Sequence, residues 1–385
     1  MRFPEFTKEW KKCTIKDYGE VITGNTPPTK NIEYYSNGSY LWASPADLGL
    51  SKHITSTKTK LSLLGLKKTR TIPQGSILVT CIGSTIGKMG MATETMSTNQ
   101  QINSVIVNDS TNNDFAYYAI LNAFPRYLSE VGVQAVPILS KSNFEKLPNH
   151  TTTKEEQRKL GYFLNLLDER IATQNKIIED LKKLKSAIIE KHYCKVEKQI
   201  ACVGDLGEPF SVGNLAKDDL TETGIPCVIY GELFTTYGET ISQIESHTYK
   251  TEGIILSKKG DLLFPSSTTV DAMSLIAPSV INMDGVILGG DMFGIHISPN
   301  FNAQYLSYYF NHIAKRQLAK FAKGSTIIHL HYADIEKAKL LLPSLEEQNR
   351  MAKCLVTLDD KIKKERTFFD LLNSQKAYLL CHMFI

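Results

Sequence analysis

The chain has 385 residues, of which 42% are hydrophobic and 22% charged, and a formal net charge of +4. That length predicts two or three domains with real cores, and so ordinary a charge content excludes a disordered chain. The small positive surplus permits a nucleic-acid partner without demanding one, and suits a chain that supplies specificity while other subunits share the DNA.

In chain order, the amino terminus Met1-Arg2-Phe3-Pro4-Glu5-Phe6 has no apolar run after it and is not read as a signal peptide. No stretch approaches the roughly 18 apolar residues of a membrane span. Ser76–Ile82 and Ser104–Val107 are short apolar runs between Gly, Asn, Ser and Pro clusters and predict strands. Phe115–Tyr127 predicts a helix. Leu160, Leu164, Leu167, Ile171, Ile178, Leu181 and Ile188 then alternate at four and three, with polar gaps at Gln174 and Lys185. This is the a/d seam of a coiled coil. A Pro-free run of about 35 to 38 residues makes a helix roughly 50 to 57 Å long. A second set of runs, Pro226–Ile229, Asp261–Phe264 and Met292–Ile297, predicts strands, and Asn302–Phe321 a helix. The seam returns at Met351, Leu355, Leu358, Ile362, Phe369, Leu372 and Leu379, with gaps at Glu365 and Lys376.

The second half therefore repeats the first. Glu155-Glu156-Gln157 recurs as Glu346-Glu347-Gln348, an offset of 191 (346 − 155) that the whole seam keeps, and Asp168 falls on Asp359. The globular parts match more faintly: Asp17, Gly19 and Glu20 with Asp205, Gly207 and Glu208; Gly24-Asn25 with Gly213-Asn214; Asp47-Leu48 with Glu232-Leu233; Gly75–Leu78 with Gly260–Leu263. The drifting offsets predict loop insertions on a common scaffold of mixed α and β (α+β) globules. The expected domains are a first globule at 1–152, a long helix at 153–193, a second globule at 194–343 and a second long helix at 344–385, the helices packing on each other.

Catalytic patterns are missing. Gly83-Ser84-Thr85-Ile86-Gly87-Lys88-Met89 has three residues between its glycines where a phosphate loop has four, and Met89 where Ser or Thr would bind magnesium. Asn25-Thr26-Pro27-Pro28 is not the Asn-Pro-Pro-aromatic signature of amino methyltransferases. His329 and His331 lack carboxylate or cysteine partners at ligand spacing. Cys13, Cys81, Cys194, Cys202, Cys227, Cys354 and Cys381 form no Cys-x-x-Cys pair and read as reduced thiols of a cytoplasmic protein. The expectation is a binding protein that is not an enzyme, without metal or bound cofactor.

Arg2–Phe6 before Trp10, Gly75–Leu78, Gly83–Lys88, Thr98-Asn99-Gln100-Gln101, Glu155–Gln157 and Leu167-Asp168 come in an order that resembles the specificity subunit of type I restriction–modification enzymes. Gly324-Ser325-Thr326, Pro343, Glu346–Gln348 and Leu358-Asp359 repeat the likeness, which covers nearly the whole chain. The second globule departs from it in lacking the Arg-Phe-Pro-Glu-Phe lead-in and the glycines and lysine of the 83–88 loop. The resemblance implies two target recognition domains, each reading half of a gapped asymmetric DNA site. It implies that they are separated by an antiparallel coiled coil of the two repeated helices with pseudo-twofold symmetry, which sets the gap. It also implies two methyltransferase subunits and two restriction/translocase subunits as partners, with S-adenosylmethionine, ATP and Mg used by those partners.

Base edges are read by side chains that donate and accept hydrogen bonds from loops on a rigid scaffold. In the first globule the candidates are Ser44, Ser84, Thr85, Lys88, Asn99 and Gln100; in the second, Tyr230, Ser266, Ser267, Thr268 and Ser325. Each could equally be an ordinary turn or cap residue. Lys58, Lys60, Lys67, Lys68 and Arg70, and Lys315, Arg316, Lys320 and Lys323, are candidate phosphate contacts. Leu164, Leu167, Ile171, Ile178, Leu181, Leu355, Leu358, Ile362, Phe369 and Leu372 are the candidate spacer seam. A coiled-coil adaptor without direct DNA reading would also account for the helices and the weak charge.

Overall fold

The computed structural model describes residues 2–131 and 138–384. In the first globule a five-stranded sheet runs Gly19–Thr23, Ile102–Val107, Ile77–Thr80, Met89–Ala92 and His53–Ile54 in spatial order. A four-stranded sheet runs Thr59–Leu61, Tyr40–Ala43, Met96–Thr98 and Thr71–Ile72. In the second globule the five-stranded sheet is Gly207–Ser211, Met292–Ile297, Asp261–Pro265, Ser279–Ile281 and Thr240–Ile241. Its other sheet is Leu220–Thr221, Ser246–Thr248, Ile225–Ile229, Ile287–Gly289 and Ile255–Leu256. Strand for strand, the second globule keeps the order of the first and adds the edge strand Leu220–Thr221 and a ribbon of Ser267–Thr268 with Ile328–His329. A two-stranded ribbon closes each globule, Lys11–Thr14 with Pro148–Thr151 and Gln199–Cys202 with Lys339–Leu342. The faint sequence matches thus mark a duplicated mixed α/β scaffold.

One helix backs each five-stranded sheet. Asn113–Val131 buries Phe115, Tyr118, Ile120 and Tyr127. The helix expected over Asn302–Phe321 is broken into Ala303–His312, Lys315–Leu318 and a 3-10 turn at Ala319–Phe321. The break lies where the Tyr309 carbonyl accepts from both the Ile313 amide at 2.8 Å and the Ala314 amide at 3.0 Å, so the regular ladder cannot continue.

The two long helices are Lys154–Lys195 and Leu345–Met383. Glu155 and Glu156 open the first, and His192 and Lys195 lie in its last turn, complementing the helix dipole. The chain forms two compact units, Met1–Asn175 with Thr367–Ile385, and Lys176–Arg366. Each unit thus combines a globule with part of both helices. In the first unit Asp168 meets Lys376 while Arg170 lies over the Phe368 ring, so the helices run antiparallel. In the second, Lys185 meets Asp359 and His192 meets Glu347, again antiparallel. All ten seam residues are buried or half-buried, with Leu164 and Leu355 fully enclosed. Glu156 and Glu347, equivalent in the repeat, are held differently. Glu156 accepts from Nε and Nη2 of Arg2, each at 2.7 Å, whereas Glu347, without that lead-in, accepts from His192 and Arg350.

Candidate nucleic-acid interface

In the first unit the Gly83–Lys88 segment folds as a tight turn, with the Ile86 amide on the Gly83 carbonyl and the Lys88 amide on the Thr85 carbonyl. Gly87 has φ +89° and a Cβ there would stand 2.7 Å from the Phe124 ring, so no larger residue fits. The turn exposes Ser84 and Lys88 and leaves Thr85 half-buried. Ser44 begins a 3-10 turn, its hydroxyl donating to Asp47 at 2.7 Å, which is the cap role the sequence also allowed. Asn99 is buried, its amide donating to Gln101 and its carbonyl accepting from the Gln101 backbone. Its side chain faces protein, which leaves its exposed neighbour Gln100 as the base-reading candidate of the two.

Gln100 accepts from the Thr26 hydroxyl at 2.5 Å. Next to Thr26, Asn25 donates to the Lys68 carbonyl at 2.8 Å and accepts from the Arg70 amide at 2.8 Å. The fold therefore brings a candidate base reader and part of the basic segment to one rim, joined by Asn25. Asn25 was not among the sequence candidates, although its Gly24-Asn25 match with Gly213-Asn214 marked a shared position. Lys58, Lys60 and Lys67 are exposed, Lys60 on the edge strand Thr59–Leu61.

In the second unit Tyr230, Phe234, Tyr237, Ser267, Thr268 and Lys315 line one cavity of about 740 Å³. Three base-reading candidates and one phosphate candidate, separate in sequence, converge there. Ser267–Thr268 is held by pairing with Ile328–His329. Ser266 and Ser267 are both buried, but Ser267 lines the cavity whereas Ser266 does not, its amide lying on the Asp291 carbonyl and its own carbonyl accepting from the Leu330 amide, which removes Ser266 from the candidates. Ser325 is exposed in a turn closed by paired backbone bonds between Lys323 and His329. Lys323 pairs with Asp334 at 2.5 Å, so part of its charge is neutralised, while Arg316 and Lys320 are exposed. The His329 and His331 rings stack, and the described residues contain no group of His, Cys, Asp and Glu fit to hold a metal.

The same polar junction recurs in both units, its tyrosine buried and its carboxylate half-buried. In the first unit Tyr118 donates to Asp168 at 2.6 Å and Lys376 meets the other carboxylate oxygen at 2.5 Å. In the second unit Tyr308 donates to Asp359 at 2.5 Å and Lys185 meets its other oxygen at 2.7 Å. The polar gaps at Lys185 and Lys376 are thus helix-to-helix pairs at equivalent positions. Burial by itself would raise the Glu239 pKa, but the His312 hydrogen bond and the Lys185 charge outweigh it and hold that carboxyl at about 2. A carboxyl depressed in this way stabilises the fold above its ordinary range near 4.5 and loses that contribution as pH falls toward about 2. The stability difference between wild type and Glu239→Gln, measured by urea unfolding, is expected to be full at pH 6 and to shrink between those two values.

Residues 7–183 and 195–367 each match the family model described as "Type I restriction modification DNA specificity domain". The chain is 23% identical to the type I restriction enzyme MjaIX specificity subunit of Methanocaldococcus jannaschii over 87% of this chain and 83% of that one. It is 33% identical to the HindI specificity subunit of Haemophilus influenzae over 38% of this chain and 32% of that one. In fold it resembles the S subunit of a type I restriction–modification system from M. genitalium, with a TM-score of 0.64 at 16% identity over 98% of this chain and 96% of the other.

Proposed function

Because the chain belongs to the type I restriction–modification DNA specificity family, we propose that each of its two domains reads one half of a bipartite, gapped DNA site. The observation that carries this reading is the duplicated scaffold with unlike loops. The two units share strand order and the Lys–Asp–Tyr junction, yet differ where the candidate readers lie. A common frame with different loops implies two half-sites of different sequence. Ser84, Thr85, Lys88 and Gln100 read the first half, with Ser44 at the neighbouring cap. Tyr230, Ser267, Thr268 and Ser325 read the second.

Lys58, Lys60, Lys67, Lys68 and Arg70, with Lys315, Arg316, Lys320 and Lys323, contact phosphates and fix position without carrying sequence. Replacing Lys67 and Lys68 with Ala is expected to weaken binding to all sequences alike and to flatten the salt dependence by about one to two in slope. A change in the recognised sequence would contradict the assignment; binding titrations across a salt series decide it.

The chain is a non-catalytic member of its complex. Methyltransferase and restriction/translocase subunits, two of each, supply the chemistry in the cytoplasm and use S-adenosylmethionine, ATP and Mg. Purified alone with DNA and S-adenosylmethionine, it is expected to transfer no methyl group; methylation appears when the methyltransferase subunit is added. Methyl transfer by the pure chain would overturn this reading.

A further inference from the structure

Lys52 and Glu239 occupy one position in the duplicated fold. Each immediately precedes the last strand of its five-stranded sheet, His53–Ile54 or Thr240–Ile241. The Lys52 carbonyl accepts from the Met91 amide at 2.7 Å, and the Glu239 carbonyl from the Val280 amide at 3.0 Å, on equivalent strands. Each ends a segment that carries candidate readers, Ser44 before Lys52 and Tyr230 before Glu239. Both side chains turn inward to the junction with the long helices, but with opposite charge. Lys52 donates to Asp114 at 2.6 Å and Asn165 at 2.9 Å, and its ammonium lies 4.3 Å from the Tyr118 ring centre. Glu239 accepts from Lys185 at 2.9 Å and from His312 at 2.8 Å.

The surroundings are reversed to match. In the repeat, Asp114 corresponds to Gln304, Asn165 to Val356 and Asn122 to His312. The acceptors Asp114 and Asn165 that hold the lysine are thus absent around the glutamate, where His312 is the added donor, while the shared residues, Tyr118/Tyr308, Asp168/Asp359 and Lys376/Lys185, are unchanged in type. A charge with no purpose at this position would cost desolvation in both units, and a hydrophobic residue would cost less. Lys52 is nevertheless 9% exposed, and its amine is driven below its ordinary pKa by burial, opposed by Asp114.

We propose that Lys52 and Glu239 are positioning residues of opposite charge, each tying its domain's base-reading segment to a long helix, Lys52 by its hydrogen bond to Asn165 and Glu239 by its ion pair with Lys185, so that sequence discrimination in each half-site depends on its own anchor. Glu239 itself borders the cavity that holds Tyr230, Thr268 and Lys315, so a slack anchor moves one wall of that cavity. The inference rests on base reading by those loops.

The test uses the full chain assembled with its methyltransferase partner, scoring methylation at sites carrying single mismatches in one half or the other. Glu239→Lys is expected to raise methylation at second-half mismatches by about tenfold relative to the cognate site, the size of one lost base contact. First-half discrimination stays as it was. Glu239→Lys with His312→Asp reverses the polarity of the Glu239–His312 pair within the second unit and is expected to restore discrimination. This coupling is one that general destabilisation does not produce. If the lysine variant does not assemble, Glu239→Gln carries the test, with the same half-selective loosening expected. Unchanged second-half discrimination, equal loosening of both halves, or no rescue by His312→Asp overturns the anchor. Tyr230→Ala and Thr268→Ala serve as the control on the underlying reading. If they leave second-half discrimination intact, base reading by this cavity fails; if they alter it and Glu239→Lys does not, only the anchor fails.

Discussion

Adding four residues after Gln174 and four after Glu365 is expected to lengthen the gap in the recognised site by one to two base pairs while leaving both half-sequences unchanged. The two positions are equivalent in the repeat, and each falls one residue before the boundary of a compact unit. The insertions therefore leave the Lys376–Asp168 and Lys185–Asp359 pairs within their units in register. Four helical residues add about 6 Å, against roughly 3.4 Å per base pair of DNA. The paired helices show why the insertion has to be matched in both. An unchanged gap in the assembled enzyme would remove the long helices from the role of spacer.

Truncation after Gln375 is expected to unfold the first domain, although the lost residues lie far from it in sequence. Leu379, Met383 and Phe384 are buried in the core of the first unit, where Phe384 packs on Trp10 and Phe115. Emptying a core of such side chains costs about 2–5 kcal/mol each, against a typical total of about 5–15 kcal/mol for a domain. Removal of Lys376 also leaves Asp168 without its cation. Hydrogen exchange should show protection lost over residues 11–151 and kept over 199–342. Retained protection in the first domain would contradict the packing described here.

The long helices were legible because their seam recurs at four and three without a break in offset, and a single slipped residue would have destroyed it. The polar gaps at Lys185 and Lys376 were visible too, but their partners were not, since Asp359 and Asp168 lie on the opposite helix and only an antiparallel register joins them. The globular duplication could be seen in outline, because strand-forming runs and turn glycines survive while loops drift. Residue type at a loop did not tell inward from outward. Asn99 sits beside the same turn as Gln100, yet its side-chain amide is taken up inside the protein, and Ser266 and Ser267 are adjacent and both buried, yet only Ser267 lines the cavity. Lys52 and Glu239 were beyond a search for repeats, since matching rewards likeness and this position is defined by a reversal of charge. The break at Tyr309 was hidden for a similar reason: no Pro or Gly marks it, and the slip is a matter of which amide reaches one carbonyl.

The most direct test of two linked readers is single-molecule methylome sequencing of cells that express this chain with its methyltransferase partner. The account predicts one bipartite motif, with two unlike halves and a single fixed gap. A continuous motif, two identical halves, or a gap that varies from site to site would contradict it.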